Sequence, residues 1–303
     1  MSAAGERSAL VASARGGEDQ PHLSTALPRS RRRRLIRRMA TNRGALVGMI
    51  LLALLIVAAV VGPLFTDDPN AQDVRVRLTE PNGSYWFGTD ELGRDIFSRV
   101  INGARISLLA GAVSVAIGLS LGTLVGAVAG YVERWPGTLL MAGVDLLLAL
   151  PSILLAITIT ARIGAGLSAA MIAAGFVGLP AYARLARGST LSVKRREFVD
   201  AARASGASGP WIIRRHILPN IVSPLIVQAT IGIGNAILLV AALGFLGLGA
   251  QAPTAEWGRL LADAQRLVLD APYTGLFPGL ALSLTILAFN LAGDGLREAL
   301  GRG

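Results

Sequence analysis

The sequence holds no cysteine and a single lysine among its 303 residues. Without cysteine there is no disulfide framework, no thiolate-bound zinc or iron-sulfur cluster and no thiol nucleophile. The lone lysine stands in Ser192-Val193-Lys194-Arg195. A phosphate-cradling P-loop needs a glycine-rich turn that runs into Gly-Lys-Ser/Thr, so the chain cannot carry a Walker-type ATPase of its own. Histidine occurs only at His22 and His216, which excludes a paired-histidine site such as H-E-x-x-H, and no metal site is expected. Charge is scarce too. Charged residues make up 16% against 52% hydrophobic, and the mean hydropathy is +0.56. Disordered, collagenous and disulfide-stapled classes are excluded, and a soluble two-domain protein does not fit.

What is present is a series of long apolar runs. Six reach the roughly 20 residues that a helix needs to cross a bilayer, at 44–65, 105–130, 138–161, 167–186, 219–249 and 276–293. The fold class expected is therefore all-α, a polytopic membrane protein with about six transmembrane helices. Lys and Arg fix its orientation. Segments 1–43, 131–137, 187–218 and 294–303 carry twenty of them, whereas 66–104 and 250–275 carry six against ten acids. The positive-inside rule puts both termini in the cytoplasm. The domain reading is a basic cytoplasmic tail, 1–43, and a membrane domain, 44–303, with an extracytoplasmic segment at 66–104 and a cytoplasmic one at 187–218. The run Ser30-Arg31-Arg32-Arg33-Arg34-Leu35-Ile36-Arg37-Arg38 lies just ahead of the first span. There it meets anionic lipid headgroups, and no nucleic-acid partner is expected.

Within the second span Ser114, Gly118, Gly122, Gly126 and Gly130 place a small residue at every fourth position. Such a stripe lets another helix backbone come close. Between the first two spans, Thr89 followed by Asp90 and Glu91 predicts an N-cap and a helix over 90–101, with Tyr85, Trp86 and Phe87 at the membrane interface. Asp145 stands as a charge inside the third span, and with Asn235 and Asn290 forms the set of polar candidates for a translocation path.

Segment 196–220 carries the most specific signal. Arg196-Glu197-Phe198-Val199-Asp200-Ala201-Ala202-Arg203-Ala204-Ser205-Gly206 is followed by Pro210-Trp211 and by His216-Ile217-Leu218-Pro219-Asn220. It reads as helix, turn, helix: Gly206 suits a left-handed helix end and Pro210 a first helical turn. Phe198, Ala201, Ala202 and Ser205 recur at helical spacing, giving a small, weakly apolar face open to a partner's groove.

These residues resemble the EAA motif of ATP-binding cassette importer permeases: Asp200-Ala201-Ala202, three residues, Gly206, nine residues, then His216-Ile217-Leu218-Pro219. Asp200 replaces the usual Glu and His216 the usual Ile. Further blocks are similar to the C-type permeases of dipeptide, oligopeptide and nickel importers: Trp86-Phe87-Gly88-Thr89-Asp90-Glu91-Leu92-Gly93-Arg94-Asp95, Phe245-Leu246-Gly247-Leu248-Gly249, and Phe289-Asn290-Leu291-Ala292-Gly293-Asp294. The resemblance runs from about residue 31 to 300. It implies a type I importer permease fold in the bacterial cytoplasmic membrane, forming half of a path for di- or oligopeptides. Implied partners are a homologous second permease, two ATPase subunits that bind ATP and Mg, an extracytoplasmic substrate-binding protein and membrane lipids. It implies no catalytic residue and no cofactor in this chain, and an ATPase-coupling set of Glu197, Asp200, Ala201, Ala202, Gly206, His216, Leu218 and Pro219. Relatives often carry an acid where this chain has Val240, which would make its path less polar than theirs.

Two other classes compete. An autonomous channel or secondary transporter would use Asp145 as its coupling group. An intramembrane hydrolase would use Ser152 or Ser283, but its usual base is missing, since the nearest histidine, His216, belongs to the 187–218 cytoplasmic loop.

Overall fold

The computed structural model describes residues 42–301. The basic run at 30–38 and nearly all of the 1–43 tail fall outside them. Among the described residues the architecture is helical, with one isolated β-bridge, Thr89 to Asp95. Helix α1 spans Arg43–Val61, α2 Ile96–Val132, α3 Trp135–Leu148, α4 Ser152–Ile163 and α5 Leu167–Lys194. Then come α6 Glu197–Ala204, α7 Gly209–Ile212, a π-helical turn Ile213–Ile217, α8 Leu218–Phe245, α9 Trp257–Ala264 and α10 Tyr273–Gly301. Five of the described helical stretches are long and apolar enough to cross a membrane, six if the bent pair α3–α4 is one span.

That pair corrects the third expected span. Residues 138–161 do not form one helix: α3 and α4 meet at 95° across Ala149-Leu150-Pro151. Pro151 has no N–H for the carbonyl one turn back, and its ring drives Leu150 out of the helical region. Hydropathy sees only an apolar run there.

The helix expected over 90–101 starts instead at Ile96. Its cap is Asp95, whose carboxylate accepts from Ser98 N at 2.8 Å and from the Ser98 hydroxyl at 2.6 Å. Thr89 is wholly buried, its hydroxyl donating to the Val76 carbonyl and accepting from Thr79 N. Asp90-Glu91-Leu92-Gly93 is a turn, closed by Gly93 N–H to Asp90 O at 3.0 Å. Gly93 has φ +72°, and a Cβ there would lie 1.8 Å from the Asp73 carbonyl oxygen. Aspartate first and glycine fourth is a turn signature that competes with the helix reading. Of the aromatic residues expected at the membrane interface, Phe87 stacks on Phe277 with ring centroids 3.9 Å apart, while Trp86 remains exposed.

The small-residue stripe of α2 is answered inside the chain. A Cβ on Gly118, Gly122, Gly126 or Gly130 would meet the carbonyl oxygen of Gly175, Leu179, Ala183 or Arg187 at 2.1–2.9 Å. Those carbonyls also advance four residues at a time, so α2 and α5 touch backbone to backbone along matched ridges. The other close approaches follow the same logic, Gly48 of α1 against Leu291 and Ala292 of α10, and Gly293 of α10 against Ile231 of α8.

At one end of the bundle, segment 66–95 and α9 are tied by charge. Arg94 pairs with Asp90 at 2.6 Å and Arg259 with Asp263 at 2.8 Å, while the buried Arg99 lies 3.8–3.9 Å from both aspartates and donates to Pro69 O at 3.3 Å. Beside this cluster the fully buried Glu256 caps α9, accepting from Gly258 N, Arg259 N and the Ser107 hydroxyl. Burial pushes its carboxyl above the usual range, and the three hydrogen bonds oppose that only in part. A carboxyl raised in the folded state contributes stability that is present below its unfolded pKa and lost as the pH rises through the folded value. Glu256→Gln is therefore expected to flatten the pH dependence, with wild type losing thermal stability relative to the variant as the pH rises above the ordinary glutamate range. Melting curves of the purified protein check this. Parallel pH profiles would contradict it.

Candidate functional site

At the other end of the bundle, α6, α7 and the π-helical turn form a folded unit. Val199, fully buried, inserts beside Val193, Ile212, Ile217 and Ile221, with Ala127 and Ala186 completing the cluster. This apolar anchor fixes α6 on the ends of α2, α5 and α8. Gly206 ends α6 with φ +79°, and Ala207 N–H returns to Ala202 O at 3.1 Å. Pro210 then lies in the first turn of α7. The π-helical turn sits just ahead of Pro219, which has no N–H to continue a regular ladder.

The helix-turn-helix expectation therefore holds, but the expected face is divided. Val199 and Ala202 turn inward, whereas Phe198, Ala201 and Ser205 remain on the open side. On that side Phe198, 38% exposed, and Trp211, 50% exposed, flank His216, with centroid distances of 5.8 and 5.0 Å. Asp200 pairs with Arg203 at 3.0 Å in solvent, and Glu197 and Pro219 are exposed. Leu218 packs against the anchor. Thus the structure brings all eight sequence-derived coupling residues into one region, six facing out or half-buried and Ala202 and Leu218 supporting from within.

Sequence reasoning missed Trp211 and the brace from the 131–134 loop. Lys194 reaches across to Glu133 at 2.9 Å, donates to the Tyr131 carbonyl, and lies with Arg203 over the Tyr131 ring. The Lys194 hydrogen bond holds the Glu133 carboxyl below its ordinary range. A lone lysine in an arginine-rich chain was the available clue.

The three polar path candidates do not share a site. Asp145 pairs with Arg184 at 2.7 Å, each side chain 56% exposed. Asn290 is half-buried on α10. Asn235 lines a cavity of about 110 Å³ between α2, α5 and α8. Val240 is buried in the apolar cluster with Ala110, Ala156 and Ala170, so it contributes nothing to the polarity of that cavity.

Long apolar helices packed on small-residue seams, with a compact amphipathic element docked at one end, define a multi-pass helical membrane protein. Residues 122–303 match the family model described as binding-protein-dependent transport system inner membrane component, and residues 30–81 match the N-terminal TM domain of oligopeptide transport permease C. The chain belongs to the binding-protein-dependent transport system inner membrane component family. It is an integral, multi-pass inner-membrane permease.

Among its relatives, the dipeptide transport system permease protein DppC of Alkalihalophilus pseudofirmus is 47% identical over 269 residues, covering 88% of each chain. The probable D,D-dipeptide transport system permease protein DdpC of Escherichia coli is 45% identical over 252 residues, covering 83% of this chain and 85% of its own. The glutathione transport system permease protein GsiD of Pectobacterium atrosepticum is 44% identical over 269 residues, with 88% of each covered. The fold is shared with the inward-facing MetNI methionine ABC transporter, at TM-score 0.55 and 23% identity over 67% of this chain and 97% of that one.

Proposed function

We propose that the chain forms half of the membrane path of an ATP-driven importer of di- or oligopeptides, with a homologous second permease as the other half. The single observation that carries this is the folded α6–α7 unit, anchored by Val199 and presenting Phe198, Ala201, Trp211 and His216 outward. An apolar, small-residue surface with exposed aromatics at one end of a membrane bundle is suited to docking in a groove of a partner. In this reading the partners are two ATPase subunits that bind ATP and Mg. The chain itself has no catalytic role.

Glu197, Asp200, Ala201, Gly206, His216 and Pro219 form or border the docking surface, and Ala202 and Leu218 hold it in place. The brace from Lys194 to Glu133 and Tyr131 ties the end of α5 to the α2–α3 turn, and Arg203 of α6 lies over the Tyr131 ring, so a push on α6 is delivered to α2, α3 and α5 together. The basic segments, this unit and both termini face the cytoplasm by the charge asymmetry. The opposite end, with its ion-paired 66–95 segment, then faces an extracytoplasmic substrate-binding protein. Peptide as substrate rests on relatives whose names specify dipeptides, D,D-dipeptides and glutathione, itself a small peptide.

Affinity purification of the tagged chain in mild detergent tests the assembly. The expected result is recovery of a second permease and ATPase subunits, identified by mass spectrometry. Recovery of the chain alone, under conditions that preserve other membrane complexes, would favour an autonomous transporter.

A further inference from the structure

The cavity between α2, α5 and α8 lies at mid-depth of all three helices. Ser114 is the middle residue of Ile96–Val132, Tyr182 lies within a turn of the centre of Leu167–Lys194, and Gly232 is at the centre of Leu218–Phe245. Gln228 and Asn235 stand one turn to either side of Gly232, seven residues apart and so on one face of α8. No charged residue lines the cavity. Ser114 is satisfied by the Ala110 carbonyl at 2.8 Å. Among the described residues, the Gln228 and Asn235 amides and the Tyr182 hydroxyl have no hydrogen-bond partner in the protein, although the Tyr182 ring is packed tightly enough for its hydroxyl to lie against Gly232. Unpaired polar groups at the middle of a membrane protein are costly unless they face a path that supplies partners.

From this we infer that Gln228, Asn235 and Tyr182 form a hydrogen-bonding wall for the main-chain amides of a peptide in transit. The inference rests on the importer reading above and assigns it a substrate-contact site. Every peptide unit that leaves water needs one acceptor and one donor. Each carboxamide side chain carries both. A neutral wall therefore serves any peptide bond whatever side chains flank it, and it lacks the ionic grip that would hold one charge type in place. Pro180, beside the cavity-lining Ala181, removes a helical N–H and leaves the Phe176 carbonyl as one more acceptor in the α5 turn that borders the cavity. In the single chain this is one side of a path, open where a second permease would complete it.

The test uses the complete complex in proteoliposomes, with a mixture of radiolabelled alanine di- to pentapeptides and the binding protein. The double variant Q228L/N235L is expected to move about tenfold less peptide per ATP hydrolysed, the loss of two hydrogen bonds in transit, while ATPase stimulation by the loaded binding protein persists. Unchanged peptide per ATP would overturn the inference and leave the importer reading intact. Absence of any uptake by the wild-type complex would remove both.

A second measurement does not depend on the double variant assembling. Because the chain is free of cysteine, Asn235→Cys and Val240→Cys each introduce its one thiol. A charged methanethiosulfonate reagent is expected to modify Asn235→Cys, more slowly when peptide is being transported, and to leave the core-packed Val240→Cys unmodified. Equal reactivity of the two thiols would overturn the assignment.

Discussion

Gly206→Asp is expected to abolish uptake, by about a hundredfold or more, while the chain still inserts and folds. A Cβ at Gly206 meets no atom within 4 Å, so the new side chain projects into open space and disturbs no packing. Aspartate tolerates the left-handed backbone better than most residues, and the strain at φ +79° costs on the order of 1 kcal/mol. What changes is the surface: an unpaired carboxylate enters a face where Phe198 and Ala201 would meet a partner. Burying such a charge at an interface costs about 2–5 kcal/mol, and each 1.4 kcal/mol is a factor of ten. The measurement is paired, with uptake into proteoliposomes alongside recovery of the ATPases on the tagged chain. Both should fall together. Gly206→Ala adds no charge and is expected to retain most activity. Normal uptake by Gly206→Asp with normal ATPase recovery would remove the coupling role of α6.

The double substitution of Gly122 and Gly126 by leucine is expected to prevent folding altogether. Their Cβ atoms alone would come within 2.6 Å of the Leu179 carbonyl and 2.1 Å of the Ala183 carbonyl. These obstacles are backbone atoms of α5, which cannot rotate aside as a side chain would. Overpacking costs about 1–3 kcal/mol where side chains can give way and more where, as here, backbone must move, so backbone clashes on two successive turns are set against a margin of only about 5–15 kcal/mol. Gly143→Leu, at a helical glycine with nothing within 4 Å of its Cβ, is the control and should be tolerated. Yield of monodisperse protein in detergent separates them. Recovery of folded Gly122→Leu/Gly126→Leu protein at the wild-type level would mean that the α2–α5 seam is not what holds these helices together.

The sequence and the structure agree where one physical signal dominates. Apolar length located the membrane-crossing helices. The four-residue spacing of small residues located a seam, though not its partner, which needed the matching carbonyls of α5. Gly206 and Pro210 were legible as helix punctuation because each has a backbone property that few residues share. Errors arose where two signals competed. Pro151 breaks an otherwise continuous apolar run, and a hydropathy window averages it away. Thr89-Asp90-Glu91 looks like a helix start, but Asp90 and Gly93 close a turn first and Asp95 takes the cap.

Of the candidate site, the segment proposed for coupling was legible in the sequence, whereas the polar cavity proposed as a path was largely hidden. Asp145 drew attention as a lone intramembrane acid, yet Arg184, thirty-nine residues away, neutralises it, a pairing that no local pattern announces. Asn235 stood out as a polar residue inside a span, but nothing local in the sequence sets Gln228 and Tyr182 apart from the other neutral polar residues of the helices. Only the tertiary arrangement puts them beside Asn235 in one cavity.

The most direct test of the account is peptide uptake by proteoliposomes that contain this chain and its sister permease, with the ATPases and ATP included or withheld. The account predicts uptake only when the two permeases, the ATPases, ATP and the binding protein are all present. Peptide entry at an equal rate without the ATPases would contradict it and make the chain part of an autonomous transporter.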